Sequence, residues 1–251
     1  MAATSNAKNK QRLDLLLVER DLAPTRSVAQ AIIMAGQVKT GTTVLTKPGQ
    51  LVTSDIELTV KQLPRYVSRG GDKLASVAQA LSLDFSDQIV LDVGSSTGGF
   101  TDYALQHGAA HVYAVDVGTN QLAYKLRQDE RVTVLEQTDI RTITPGQLDP
   151  QPTIAVIDVS FISLTKILPA VAALVAPGTP IVAMAKPQFE ADKPTADRYK
   201  GVIKDEAVRQ RILQSLQTEI KQQFTIAASA DSEVHGAQGN REQFLILRGK
   251  M

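Results

Sequence analysis

The stretch LDVGSSTGGFTD, residues 91–102, joins a short apolar run to a turn rich in Gly, Ser and Thr. Such a sequence is typical of a buried strand that turns tightly into a helix beside a ligand. From residue 88 onward, apolar β-rich runs alternate with helical stretches at about 100–107, 119–127, 163–175 and 204–221. This alternation predicts a mainly parallel, doubly wound α/β sheet. With 251 residues, 43% of them hydrophobic, the chain has room for one such domain and a small second module.

The spacing of the glycines distinguishes this turn from dinucleotide-binding turns. The turn contains Gly94, Gly98 and Gly99, and Ser96 stands where the fingerprint G-x-G-x-x-G has its middle glycine. Asp92, directly before the turn, would repel a pyrophosphate but suits a cationic amino group or a sulfonium. The sequence therefore favours S-adenosylmethionine as the cofactor.

Two further acids follow the next predicted strands. Asp116 stands 18 residues after Gly98, where an acid can accept hydrogen bonds from ribose hydroxyls. Asp139 follows the third strand and is a candidate partner of the adenine amino group. Either aspartate alone could be only a helix cap or a turn former. Together with Asp92 they mark the ends of three consecutive strands, which favours a cofactor site.

The ends of the fourth and fifth predicted strands bear on the group that receives the methyl. Residues 158–161, Asp-Val-Ser-Phe, replace the Asn/Asp-Pro-Pro-aromatic segment of many enzymes that methylate base amines. The chain has no cysteine, the nucleophile that methylation of pyrimidine C5 usually requires. Lys186 follows the apolar run IVAMA, and a lysine base suits a hydroxyl acceptor.

Three other charged residues are candidate partners of Lys186. Lys73 could lie beside it as a cation, Asp158 could orient it, and Glu242 could complete the group. Such a group would remove a proton from a hydroxyl while the oxygen attacks the methyl in line. The alternative is a set of salt bridges around the rim of the sheet.

Residues 1–65 are more basic than the rest of the chain. They carry nine Lys and Arg against five Asp and Glu, whereas the whole chain has a net charge of +1. Two short helices over 12–22 and 24–36, followed by short strands over 37–52, predict a small α+β module. A basic face on this module suits a polyanion, and an ordinary solvated surface explains the charges equally well. The cations that could share this face are Arg12, Arg20, Arg26 and Lys39.

Composition also argues against several classes of protein. Without cysteine the chain has no disulfide and no cysteine–zinc site. His107, His111 and His235 lie far apart in the sequence, so no metal site is predicted. There is no apolar run long enough for a membrane span and no apolar N-terminal segment typical of a secretory signal. We therefore expect a cytoplasmic protein, monomeric and without a membrane partner.

Several segments resemble the TlyA family, whose members are often called hemolysins but act as ribosomal RNA 2′-O-methyltransferases. The similarity extends from about residue 12 to 248. The N-terminal part resembles the RNA-binding module of ribosomal protein S4, and the remainder resembles FtsJ-like, class I Rossmann-type methyltransferases. The similar segments are YVSRGGDKL (66–74), LDVGSSTGGFTD (91–102), AVDVGTNQLAYKLRQDERV (114–132), DVSFISL (158–164), KPQFE (186–190) and GNREQF (239–244).

The resemblance also implies which residues act. It implies a Lys-Asp-Lys-Glu catalytic tetrad, which falls on Lys73, Asp158, Lys186 and Glu242. With the acids named above, the predicted cofactor residues are Asp92, Gly94, Ser95, Ser96, Thr97, Gly98, Phe100, Asp116 and Asp139. The predicted RNA-binding residues are Arg12, Arg20, Arg26, Lys39, Arg65 and Arg69.

The implied organisation is an S4-like domain over residues 1–60, a linker over 61–67 and a methyltransferase domain over 68–251 with a seven-stranded sheet. The implied substrate is a cytidine ribose in 16S or 23S ribosomal RNA, as part of ribosomal subunits. The chain departs from the family at PRYVS (64–68), where members often have Arg-x-Trp-Val. The alternatives are methylation of a small hydroxyl compound or of a different RNA, a non-catalytic RNA-binding protein and a hemolysin-type cytolytic protein.

Overall fold

The computed structural model describes residues 10–61, 64–236 and 238–250. The chain divides into two compact units, Met1–Pro64 and Arg65–Met251. Within the part of the chain that is described, no helix is both long enough and apolar enough to cross a membrane.

The N-terminal unit packs two helices on short antiparallel strands. Its elements are β1 (Lys10–Arg12), α1 (Leu13–Glu19), α2 (Arg26–Met34), β2 (Val38–Thr40), β3 (Thr43–Leu45), β4 (Leu51–Thr53) and β5 (Thr59–Val60). β1 pairs with β4, and β2 lies between β3 and β5. Leu13, Leu16 and Leu17 of α1 share a buried cluster with Ile32 and Ile33 of α2. These side chains form the apolar faces that the helical spacing predicts.

A buried carboxylate connects the elements of this unit. Asp14 has no exposed surface, and it accepts hydrogen bonds from Arg12 Nε at 2.9 Å, Arg26 Nε at 3.0 Å and Gln30 Nε2 at 2.9 Å. Arg12 is the main reason that the pKa of Asp14 lies well below its usual range. These contacts tie the end of β1 and the start of α1 to α2.

The C-terminal unit is built on one seven-stranded sheet. Its helices are α3 (Arg69–Ala78), α4 (Gly99–Gln106), α5 (Tyr124–Arg127), α6 (Leu168–Leu174), α7 (Pro187–Glu190), α8 (Lys193–Tyr199) and α9 (Glu206–Ile220). Its strands are β6 (Ile89–Val93), β7 (His111–Val115), β8 (Val132–Leu135), β9 (Ile154–Ile157), β10 (Ile181–Ala185), β11 (Phe224–Asp231) and β12 (Gln243–Gly249). Short 3-10 helices lie at Ile140–Thr142 and Leu164–Lys166.

The strand order of this sheet is β11-β12-β10-β9-β6-β7-β8. β12 runs antiparallel to both of its neighbours, and every pair from β10 to β8 is parallel. The mainly parallel, seven-stranded sheet that the sequence predicts is thereby confirmed. The chain winds outward from β6 in one direction and from β9 in the other, so their carboxyl ends flank a crevice of the kind that binds ligands in α/β sheets.

Apolar layers cover both faces of the sheet. Leu91 and Val93 of β6 belong to a cluster with α6 and α9, whereas Val90 belongs to a second cluster with α3 and α4. This alternation follows from the two-residue period of a strand. It leaves Asp92 on the same face as Val90, under the N-terminal ends of α3 and α4.

One helix is shorter than the sequence predicts. The pattern over 119–127 indicates a helix, and only its second half, α5, is helical. The backbone N–H groups of residues 120–122 donate to the carboxylate of Glu136 at 2.7–3.1 Å. Because these donors are already satisfied, this segment has no need of helical hydrogen bonds. Residues 116–123 therefore form a loop along the edge of the crevice.

Replacing Asp14 by Ala should destabilise the N-terminal unit by about 1–3 kcal/mol, because Gln30 and two guanidinium groups lose a buried acceptor. Urea unfolding measures the change. It is followed by far-UV circular dichroism, because the chain has no Trp whose fluorescence could report unfolding. Glu57→Ala, at an exposed carboxylate of the same unit, is the control and should change stability by less than about 0.5 kcal/mol. Equal effects of the two variants would contradict this role of Asp14.

Candidate active site

The Gly-rich turn after β6 packs against the loop after β9. Gly94 has a φ of +83°, and a Cβ at this position would lie 2.6 Å from the carbonyl oxygen of Asp158. Gly98 has a φ of +96°, and its Cβ would lie 2.3 Å from Cδ1 of Leu126. A side chain at either position would be strained by the dihedral angle and would collide with a neighbour. Glycine is therefore required at both ends of the turn.

A cavity of about 470 Å³ lies beside this turn, at the carboxyl ends of β6, β7, β8 and β9. Its volume is in the range of sites for small molecules and cofactors. The predicted cofactor residues that line it are Gly94, Ser96, Asp116 and Asp139. An adjoining recess of about 260 Å³ is lined by Asp92, Gly94, Ser95, Ser96, Thr97 and Phe100. Gly98 lines neither space and supports the turn from behind.

Asp92 is buried below the turn, and one of its carboxylate oxygens has no hydrogen-bond partner among the described residues. It has no exposed surface, and its Oδ2 accepts a hydrogen bond from Thr101 Oγ1 at 2.6 Å. Its Oδ1 has no hydrogen-bond partner among the described residues. Burial raises the pKa of Asp92 to about 7, and the nearby carboxylates of Asp158 and Asp116 add to this effect. The recess thus contains a buried acceptor that a ligand with a positive group or a donor would satisfy.

Asp116 and Asp139 lie where they were predicted, and both already have partners. Asp116 accepts hydrogen bonds from the backbone N–H groups of Ser96 at 2.8 Å and Gly118 at 2.7 Å. Asp139 forms a salt bridge with Arg141 at 2.6 Å, and this guanidinium lowers the pKa of Asp139 to about 2. Asp116 therefore fixes the turn. Asp139 stays ionised at the cavity wall, beside a cation that sequence reasoning missed.

The four predicted tetrad residues come together at the recess as two ion pairs. Lys186 Nζ lies 2.5 Å from Oδ1 of Asp158, and Lys73 Nζ donates to Oε1 of Glu242 at 3.1 Å. Lys186 is 8% exposed and Glu242 2%, so this is no surface network. Lys73, Asp158 and Lys186 line the recess directly. Each lysine contacts its own carboxylate, so Lys73 has Glu242 as a counter-ion.

Local structure holds the members of this tetrad in place. Lys186 caps α7, whose first residue is proline, so the chain leaves β10 in a fixed direction. Glu242 is held before β12, since Arg209 Nε donates to the carbonyl oxygen of Arg241 at 2.9 Å. Gly236 packs over it, because a Cβ there would lie 2.7 Å from Glu242 Oε1. Within the described residues, no group of three or more His, Cys, Asp and Glu is arranged to hold a metal ion.

Two residues of the loop after β9 were not singled out from the sequence. Ser160 accepts a hydrogen bond from Lys186 Nζ at 3.1 Å and lines both the cavity and the recess. Phe161 has a φ of +65° and is 89% exposed, with its ring 4.8 Å from that of Phe189. Both residues closely follow Asp158 at the end of a predicted strand, and this position could have identified them from the sequence as candidate site residues.

The predicted RNA-binding residues fall into three groups. Arg12 and Arg26 are partly engaged by Asp14, as described above, and Arg20 donates to two backbone carbonyls, those of Ile56 and Ser54. Lys39 on β2 is exposed. Arg65 packs over the ring of Tyr66 at 5.2 Å, and Arg69 is exposed at the recess. Among these cations, Lys39 and Arg69 have the least committed side chains.

Two known families match the chain. The FtsJ-like methyltransferase family matches residues 66–250, and the S4 domain matches residues 11–55. Each match falls within one of the two compact units.

Individual relatives extend over nearly the whole chain. The chain is 47% identical over 241 residues to YqxC of Bacillus subtilis, described as a candidate rRNA methyltransferase. The alignment covers 95% of this chain and 85% of YqxC. It is 38% identical over 243 residues to the 16S/23S rRNA (cytidine-2′-O)-methyltransferase TlyA of Mycobacterium tuberculosis, with coverage of 95% and 90%. The solved structure of a candidate hemolysin from Streptococcus thermophilus is 40% identical in sequence and has a TM-score of 0.71. The superposition covers 97% of this chain and 90% of the hemolysin chain.

The substitution Asp92→Asn should flatten the pH dependence of stability. With a pKa of about 7 in place of about 4, the folded chain keeps a proton that the unfolded chain releases. The free energy of unfolding of the wild type therefore contains a component that falls as the pH rises from about 4 to about 7. Urea unfolding across this range measures it, with Asp87→Asn at an exposed carboxylate as control. The prediction fails if Asp92→Asn keeps the wild-type slope.

Proposed function

The chain belongs to the TlyA family of FtsJ-like methyltransferases, and we propose that it methylates a ribose 2′-hydroxyl, that of a cytidine in ribosomal RNA, with S-adenosylmethionine as methyl donor. The observation that carries this proposal is the placement of two lysine–carboxylate pairs, each with one buried member, at a recess that adjoins the Gly-rich turn. A base beside a cofactor-sized cavity is what methyl transfer to a hydroxyl requires.

The residues around the turn fit this cofactor. S-adenosylmethionine supplies a methyl group on a positively charged sulfur and also carries an ammonium group. Asp92 offers a buried, unpaired oxygen toward positive charge, and Gly94 and Gly98 keep side chains out of the turn. Asp116 and Asp139 lie along the cavity that would hold the nucleoside part. We assign the nine predicted cofactor residues to this site on these grounds.

Lys186 is the base in this proposal. Asp158 holds its Nζ at the recess. Once its ammonium has released a proton to solvent, the neutral amine of Lys186 accepts the proton of the 2′-hydroxyl while the ribose oxygen bonds to the methyl carbon. The bond from that carbon to sulfur breaks in the same displacement, so the positive charge passes from sulfur to Lys186. Glu242 holds Lys73 at the same recess, where its ammonium binds an oxygen of the acceptor nucleotide.

The RNA contacts are proposed from charge and exposure. Arg69 lies at the recess and suits a phosphate of the acceptor nucleotide. Phe161 presents an exposed ring beside Phe189, and single-stranded bases stack on such rings. In the N-terminal unit, the exposed Lys39 and the remaining N–H groups of Arg12 and Arg26 bind phosphates without reading sequence.

The tetrad and the turn all come from one chain, so we propose a monomeric enzyme. Its substrate is part of ribosomal subunits, and the reaction therefore takes place in the cytoplasm. The domain boundaries proposed for it are those of an S4-like domain over 1–60, a linker over 61–67 and a methyltransferase domain over 68–251.

Lys186→Met should lower the rate of methyl transfer at least about 100-fold, because general-base catalysis is lost. Unmodified small and large ribosomal subunits are incubated separately with labelled cofactor, and nuclease digestion identifies the labelled nucleoside and atom. The dissociation constant of the cofactor, measured by calorimetry, should change by less than about threefold, since Asp92 and the turn are untouched.

Lys166→Met is the matched control, because Lys166 is exposed and lies outside the cavity and the recess. It should keep the wild-type rate. Label on a base nitrogen would refute the proposed function, and a wild-type rate for Lys186→Met would refute the role of this lysine.

Lys39→Ala should weaken binding to ribosomal RNA and reduce the slope of log affinity against log salt concentration by about 1, because one phosphate contact is lost. Filter binding at several salt concentrations measures both quantities. Lys221→Ala is the control, since Lys221 follows α9 at the end of the sheet opposite the recess. Unchanged affinity and slope for Lys39→Ala would remove this residue from the binding surface.

A further inference from the structure

Lys186 has a second oxygen partner, one that lies outside the tetrad. Its Nζ donates to Ser160 Oγ at 3.1 Å while it lies 2.5 Å from Asp158 Oδ1. Both oxygens belong to the loop after β9, two residues apart. Ser160 lies at the boundary of the two spaces, since it lines the cavity and the recess alike. It is therefore close to the place where methyl donor and acceptor meet in the proposed function.

The number of donors on Nζ gives this contact a chemical meaning. A lysine ammonium has three N–H donors and no lone pair. An amine that acts as a base has two N–H donors and one lone pair, and only the lone pair can accept the hydroxyl proton. Ser160 accepts one N–H group, which leaves two staggered positions for the lone pair. The carboxylate of Asp158, an ion-pair partner of Nζ without a hydrogen bond, repels the lone pair from its own side, so one direction is left.

We infer that Ser160 is a positioning residue for Lys186, and that its Oγ, together with Asp158, directs the lone pair of Nζ toward the acceptor hydroxyl. This inference rests on the proposed function. With Ser160 absent, the amine can rotate about its last carbon–nitrogen bond, and the lone pair spends less time in line with the substrate.

Other contacts restrict the same atoms. The ring of Phe189 lies on another side of Lys186, with its centroid 5.8 Å from Nζ. Glu190 accepts hydrogen bonds from Ser163 Oγ at 2.6 Å and from the N–H group of Leu164 at 3.0 Å. These contacts fasten the loop after β9 to the segment that begins with Lys186. The separation of Ser160 from Nζ is thus set by the fold and not by a free loop.

Ser160 contributes little to the stability of the fold. Its side chain is exposed, and within the described residues the hydrogen bond given for its hydroxyl group is the one donated by Lys186. Replacement of an exposed serine changes stability little. Variants at this position therefore fold and report on the reaction.

The test compares Ser160→Thr with Ser160→Val, which are nearly equal in shape and differ in the hydroxyl group. Methyl transfer to ribosomal subunits gives kcat and KM for the RNA, and calorimetry gives the dissociation constant of S-adenosylmethionine. Ser160→Val should lower kcat about tenfold or more, because the lone pair of Nζ is then in line with the acceptor hydroxyl for less of the time. KM and the cofactor dissociation constant should stay within about threefold, and Ser160→Thr should restore most of kcat.

Ser229→Ala, at an exposed serine on the edge strand β11, is the control and should behave as the wild type. Equal kcat values for Ser160→Thr and Ser160→Val would overturn the inference while the proposed function stands. A rise in KM at unchanged kcat would also overturn it, since Ser160 would then bind RNA without orienting the base. If the wild type places no label on a ribose oxygen, the proposed function and this inference fail together.

Discussion

The close approach of Gly94 to the carbonyl oxygen of Asp158 is the constraint on which the site depends. A Cβ at residue 94 would lie 2.6 Å from that oxygen, so the two backbones meet where any other residue would hold them apart. The turn after β6 and the loop after β9 are thereby fixed to each other. Since Asp158 contacts Lys186 at the end of β10, three adjacent strand ends place Lys186 relative to the turn. The proposed cofactor pocket and the proposed base therefore share one edge of the sheet.

The burial of charge at this edge, nearly complete for Lys186 and Glu242 and partial for Lys73 and Asp158, is costly. Taking an ion out of water costs several kcal/mol even when it is paired, and apolar side chains of similar volume often stabilise a core as well. Lys186 and Glu242 are nevertheless almost fully buried, and the loop and helix contacts around them hold each pair together. The two lysines and two carboxylates leave no net formal charge in the recess. Such an arrangement does little for stability and agrees with the chemistry proposed at the recess.

The sequence predicts the sheet and the residues at its carboxyl edge, because strand ends can be located from apolar runs and the acids and lysines follow them directly. It does not predict how the tetrad pairs. Lys73 and Glu242 are 169 positions apart, and their contact depends on where α3 packs relative to β12. The helix over 119–127 was overestimated for a similar reason. Glu136, from the next strand, supplies a carboxylate to N–H groups that local periodicity assigns to a helix.

Charge in the N-terminal unit shows a different limit of sequence reasoning. Counting cations predicts a basic face, yet Asp14 takes hydrogen bonds from Arg12 and Arg26, and Arg20 is committed to backbone carbonyls. A guanidinium has five N–H donors and stays charged when some of them are bound. These arginines therefore still attract a polyanion at long range, while their orientation is set by the protein. Buried acceptors such as Asp14 hold arginine side chains in one geometry, which would lower the entropy lost in the proposed binding of an RNA phosphate.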